Sequence, residues 1–120
     1  MEKRFRFEDL EIWRNAAQLS GRLFEIADRL EHSKRFRFAE QLRAATLSIT
    51  NNIAEGSGST SDVEFAQFLN ISRRSTFEVA NILMVLSSNG QLDEADISEL
   101  LAGLDEQSRM TLAFLRRLRS

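Results

Sequence analysis

Apolar residues recur every three or four positions from Leu10 to Leu118, and no proline interrupts them anywhere in the 120 residues. That period is helical, and a chain without proline has nothing that obliges a helix to stop. The pattern predicts an all-α chain punctuated by Gly56 and Gly90. Four helices are expected, over about residues 9–31, 34–55, 62–89 and 95–119, each ~33 to 42 Å long at ~1.5 Å per residue. Matched long helices with short connections describe an antiparallel up-down four-helix bundle, here a single domain over residues 1–120.

The faces follow from the spacing. In the first helix Leu10, Trp13, Ala17, Phe24 and Ala27 share one side, and Ile12, Ala16, Leu19, Leu23, Ile26 and Leu30 extend it sideways. This stripe is wider than the ~100° that packing on one core uses, so the helix is expected to have two neighbours and Trp13 to be buried. Core positions expected in the second helix are Phe38, Leu42, Ala45, Ile49 and Ile53. Those in the third are Phe65, Leu69, Ser72, Thr76, Val79, Leu83 and Leu86, and those in the fourth Ile97, Leu100, Leu104, Ser108, Thr111, Leu115 and Leu118. Beyond these, Phe36, Leu47 and Ala54 on the second helix and Ile71, Ile82 and Val85 on the third exceed what one core consumes. Surplus strips of this kind point to a homo-oligomer.

The stretch SITNNIAEGSGSTSDVEF, Ser48 to Phe65, looks at first like a phosphate-cradling loop. It lacks the lysine of a nucleotide-binding loop and follows a helix where a dinucleotide loop would follow a strand. Gly56 is expected to take the left-handed conformation that closes the second helix, and Ser61 with Glu64 to cap the third. Ahead of the turn, Gln41, Ser48, Asn52 and Glu55 line the flank of the second helix with Arg37. They form either a polar seam bonded to the neighbouring helix or to water, or a surface for a partner or ligand.

Several function classes are excluded by what is missing. No run reaches the ~18 apolar residues of a membrane span. MEKRFRF has no apolar region behind it and is no signal peptide, and cysteine is absent, so a cytoplasmic protein is expected. The one histidine, His32, falls in an expected inter-helix loop, a poor place for the base of a nucleophilic site, and cannot supply the paired histidines of a bundle di-metal site. No catalytic residue, metal or cofactor is expected.

The net charge is −2, which argues against a whole-surface affinity for nucleic acid. Local charge is uneven: residues 93–106 are acidic without a basic side chain, and residues 107–120 carry arginines without an acid. KRFRF occurs twice, at Lys3–Phe7 and Lys34–Phe38. Each copy is either a helix entry with phenylalanines facing the core and cations in water, or a grip on RNA through stacking and phosphate contact. Arg35, Arg37, Arg43, Arg73 and Arg74 would converge into a nucleic-acid patch if the second and third helices are antiparallel neighbours.

Three segments, FEDLEIWRNAAQLS, QLRAATLSITNNIAEGSG and EFAQFLNISRRSTFE, together resemble the 23S ribosomal RNA intervening-sequence family of four-helix bundle proteins. That family is related to the accessory variability protein of diversity-generating retroelements. Trp13 matches its first-helix tryptophan, Gln41 to Ala45 its glutamine-leucine-arginine core, and Asn52 to Gly56 its NIAEG. Thr50 stands where a proline is usual, implying a weaker kink, and Arg74 where a glycine is usual. The resemblance implies a non-enzymatic bundle that assembles into pentameric rings, with RNA or DNA and a reverse transcriptase as partners of the retroelement members. Those members are strongly basic, unlike this chain. Two functions follow: a nucleic-acid-associated accessory factor, or a protein-binding scaffold with no affinity for nucleic acid.

Overall fold

Local chemistry sets several helix ends of the computed structural model, which describes residues 2–120. A 3-10 turn at Arg6–Asp9 leads into α1 (Glu11–His32), followed by α2 (Phe36–Ser57), α3 (Asp62–Ser88) and α4 (Glu94–Arg119). His32 is the last residue of α1 rather than part of a loop. After α1 the chain reverses through Lys34, whose φ of 65° is left-handed. The Arg35 N–H then reaches back to the Leu30 carbonyl at 2.8 Å. The same device ends α3, with Gly90 at φ 75° and the Gln91 N–H donating to the Leu86 carbonyl at 2.9 Å. Both are the turns that satisfy the last orphan carbonyls of a helix. Ser61 opens α3 by accepting the Glu64 N–H at 3.2 Å.

Gly56 does not do what its position suggested. It lies inside α2, buried, and Lys34 and Gly90 are the positive-φ residues among those described. Glycine is required there by packing: a Cβ on Gly56 would sit 2.7 Å from Phe68 Cβ and 2.8 Å from Phe65 Cδ1.

With connections of three to five residues the helices run up and down. The register shows in bonds between them: Ser48 with Ser75 and Ser72 with the Ile49 carbonyl join α2 to α3, while Asn15 with Gln107, Arg22 with Glu99 and Arg29 with Asp96 join α1 to α4. α1 and α4 close the ring least extensively. One end of the bundle, called the upper end below, gathers the N-terminal arm, the start of α1, the α2–α3 turn and the last turn of α4. No helix among the described residues is long and apolar enough to cross a membrane.

The core comes from the expected positions of α2, α3 and α4, with two exceptions. Phe38, in the first turn of α2, is exposed because it sits at the lower end where little covers it, and Ala39 is buried instead; Leu118 is only half-buried. In α1 the sideways row, Ile12, Ala16, Leu19, Leu23, Ile26 and Leu30, is the core. Trp13, Leu10, Ala17 and Phe24 are half-buried on its flank, so Trp13 is a wall of the bundle rather than its centre. Buried polar groups are mostly paired as burial demands. The Ser72 hydroxyl donates to the Ile49 carbonyl at 2.8 Å, which brings α2 and α3 close. Gln107, wholly buried, donates to the Ile12 carbonyl at 2.9 Å and accepts from Asn15 at 2.7 Å.

Candidate functional surfaces

The flank of α2 divides into two pairs. The Ser48 and Ser75 hydroxyls are hydrogen-bonded at 2.7 Å, and the Asn52 amide donates to the Ser48 carbonyl and hydroxyl at 2.8 and 3.0 Å. Ser48 therefore ties α2 to α3, and Asn52 holds Ser48 from within α2. Gln41 and Glu55 are exposed.

The five arginines expected to converge do not, although α2 and α3 are antiparallel neighbours. Arg43 turns toward α1, where it pairs with Asp28 at 2.7 Å and Glu31 at 2.8 Å. Its guanidinium is held protonated above its ordinary range first by the Asp28 bond, then by Glu31. Arg73 turns the other way, donating to the Ser108 carbonyl of α4 at 3.1 Å and lying over the Phe77 ring. Arg35 bonds Gln91 at the lower end, in a pocket of about 400 Å³ that also holds Asp93 and Asp96. Only Arg37 and Arg74 stand exposed, one near an end and one near mid-helix. The reason is rotational: side chains one position apart point ~100° away from each other on a helix.

Basic groups gather instead at the upper end, where the first KRFRF copy meets the last turn of α4. The Arg6 guanidinium lies 5.0 Å from the centre of the Phe65 ring, Phe65 packs on Phe114 with centroids 5.5 Å apart, and Arg117 lies 5.3 Å from the Phe114 ring. Arg4, Arg6, Arg116, Arg117 and Arg119 carry no ion pair among the described residues. The arginines of residues 107–120 and the first KRFRF were each visible in the sequence. Their meeting was not, because it needs the parity of an up-down bundle to put both chain ends together.

The arm itself is anchored. Glu8 accepts the N–H groups of Arg4 and Phe5 at 2.8 and 2.7 Å, and Lys3 pairs with Asp9 at 2.7 Å. The Arg4 and Phe5 N–H groups hold the Glu8 carboxyl below its ordinary range, and Lys3 does the same for Asp9. A lowered carboxyl pKa means the anchor acts above the ordinary glutamate range and is lost as pH falls through the lowered value. Acidification below about pH 4 is therefore expected to release the arm before the bundle unfolds. Emission from Trp13, which packs on Phe7 at 5.0 Å, would change while far-UV circular dichroism holds. Coincident transitions would contradict this.

The KRFRF phenylalanines do not face the core as the helix-entry reading expected: Phe5, Phe36 and Phe38 are exposed and Phe7 is half-buried. Of the interface candidates, Phe36, Leu47, Ile71 and Val85 are exposed, whereas Ile82 packs against the core and is not free. Leu47 stands in an apolar groove of about 370 Å³ between α1 and α2, walled by Phe7, Trp13 and Phe24 and floored by Ala17 and Ala54. Val63, Phe77 and Met84 of α3, which the sequence reading passed over, are also exposed. Phe77 and Met84 are seven residues apart and Val63 fourteen before Phe77, spacings that keep all three near one face of the helix, and that was the signal.

No curated protein matches the chain. The family model described as 23S rRNA-intervening sequence protein matches residues 8–113, from the 3-10 turn through most of α4. That match takes in the tryptophan of α1, the arginine-bearing stretch of α2 and the NIAEG that ends at the packed Gly56, and the chain belongs to the 23S rRNA-intervening sequence protein family.

Proposed function

We propose that the protein is a non-enzymatic bundle whose working form is a closed homo-oligomer, with the pentamer implied by the family resemblance as its stoichiometry. One observation carries this reading: exposed apolar side chains lie on two separate flanks, Leu47 in the α1–α2 groove and Ile71 with Val85 on α3. Monomers rarely leave such patches in water. Two different patches that fit each other make a head-to-tail contact, and such contacts close into rings when the rotation allows.

Leu47→Glu and Val85→Glu each spoil one patch at an exposed site and should leave folding within ~0.5 kcal/mol. Each alone is expected to lower the mass in sedimentation. Mixed one to one, they are expected to pair, because each variant keeps the patch the other has lost. Parent mass for both variants would sink the reading.

A second reading, a nucleic-acid-associated factor, is favoured by the unpaired arginines and stacked guanidiniums of the upper end. A ring would repeat that end in every subunit, and repetition turns a weak contact into a strong one. Without affinity for nucleic acid, the bundle is a protein-binding scaffold.

A further inference from the structure

Phe5 is 63% exposed, the second most exposed large apolar side chain among those described, yet it does not dangle. Its ring is stacked on Phe7 with centroids 5.6 Å apart and planes within 16° of parallel, and Phe7 rests on Trp13. Its own N–H and that of Arg4 are tied to Glu8. The three rings form a ladder whose outer rung is bare on one face. A hollow of about 520 Å³ opens beside it, lined by Glu2, Arg4, Phe5, Phe7, Glu8 and Trp13. Arg4 lines this hollow and Arg6 lies over the Phe65 ring, and neither forms an ion pair among the described residues.

We propose that this ladder is a stacking platform for an unpaired base of single-stranded nucleic acid. The inference rests on the nucleic-acid reading above and narrows it to a strand form. A flat aromatic face held rigid loses little freedom when a base lies on it, and every base has a face to offer. The Arg4 guanidinium at the hollow supplies donors for a flanking phosphate, and Arg6 next along the arm adds positive charge. A duplex keeps its bases stacked inside and cannot use Phe5, so the ladder favours single strands. An apolar partner surface would use the rings equally well, but it would leave Arg4 and Arg6 without a counter-charge.

The test titrates the full chain with labelled oligouridine and with an RNA duplex of equal length at about 50 mM salt, where phosphate contacts are strong. Emission from Trp13, the only tryptophan, serves as a second readout. The single strand is expected to bind more tightly than the duplex and to quench Trp13. Phe5→Ala should weaken single-strand binding about five- to hundred-fold and leave duplex binding and the salt slope unchanged. Phe5→Tyr should restore it, whereas Arg4→Ala with Arg6→Ala should shrink the slope for both ligands. Unchanged single-strand affinity in Phe5→Ala, with the arginine variant weakened, overturns the platform and leaves the nucleic-acid reading standing. No binding of either ligand by the parent overturns both. A loss of oligomer mass in Phe5→Ala, with single-strand affinity lost and not restored by Phe5→Tyr, assigns the ladder to contact between copies and overturns the platform.

Discussion

Phe65→Ala is expected to cost about 3–5 kcal/mol, and to lower the melting temperature by roughly 10–20 °C for a domain of this size. Phe65 is 1% exposed at the start of α3 and touches three elements at once. Its ring packs at a tilt on Phe114 of α4, lies beneath Arg6 of the arm, and fills the space that Gly56 of α2 leaves open. Gly56 has no side chain with which to fill the space of the lost ring, so most of the void on the α2 side should persist. The same change strips the Arg6 guanidinium of its aromatic support, and the arm should loosen with it. Thermal unfolding followed by circular dichroism reads the effect. A loss below about 1 kcal/mol would mean the upper end collapses freely, contrary to the packing described.

Gly56→Ala is expected to destabilise by about 1–3 kcal/mol, although alanine is the better helix former by ~1 kcal/mol. The added methyl would meet Phe68 Cβ at 2.7 Å and Phe65 Cδ1 at 2.8 Å. A Cβ is rigid with its backbone, so relief requires α2 and α3 to separate, which strains the Ser72 to Ile49 bond as well. Gly21→Ala is the control: Gly21 is also inside a helix, but nothing lies within 4 Å of its added Cβ. That change should stabilise by about 0.5–1 kcal/mol. Opposite signs for two identical substitutions separate packing from propensity. Matching signs would refute the close approach.

The helices and their order were legible because the three-and-four spacing runs through a chain without proline, and the boundaries fall within two residues of expectation. The lateral placement of side chains was not. Trp13 and Ile12 lie in adjoining rows of one broad apolar stripe, and only the positions of α2 and α4 decide which row is the centre. Arg73 and Arg74 are adjacent in sequence and diverge in space for the same reason. Gly56 was misjudged because a glycine near the end of a helix imitates a cap. The clue to its real role was Phe65 and Phe68 just across a short turn, a small residue facing large ones. Gln107 gave no signal at all, since a lone glutamine on an acidic and basic helix is ordinarily a surface residue. The meeting of Arg6 with Arg117 through Phe65 and Phe114 depends on the connectivity of the whole bundle.

Self-association is the claim from which the proposed function follows, and the mass of the unmodified chain in dilute solution tests it most directly. Multi-angle light scattering at low micromolar concentration and physiological salt is expected to give a single species several times the 13.7 kDa of one chain, five times for the pentamer. A monodisperse 13.7 kDa monomer under those conditions would contradict the account.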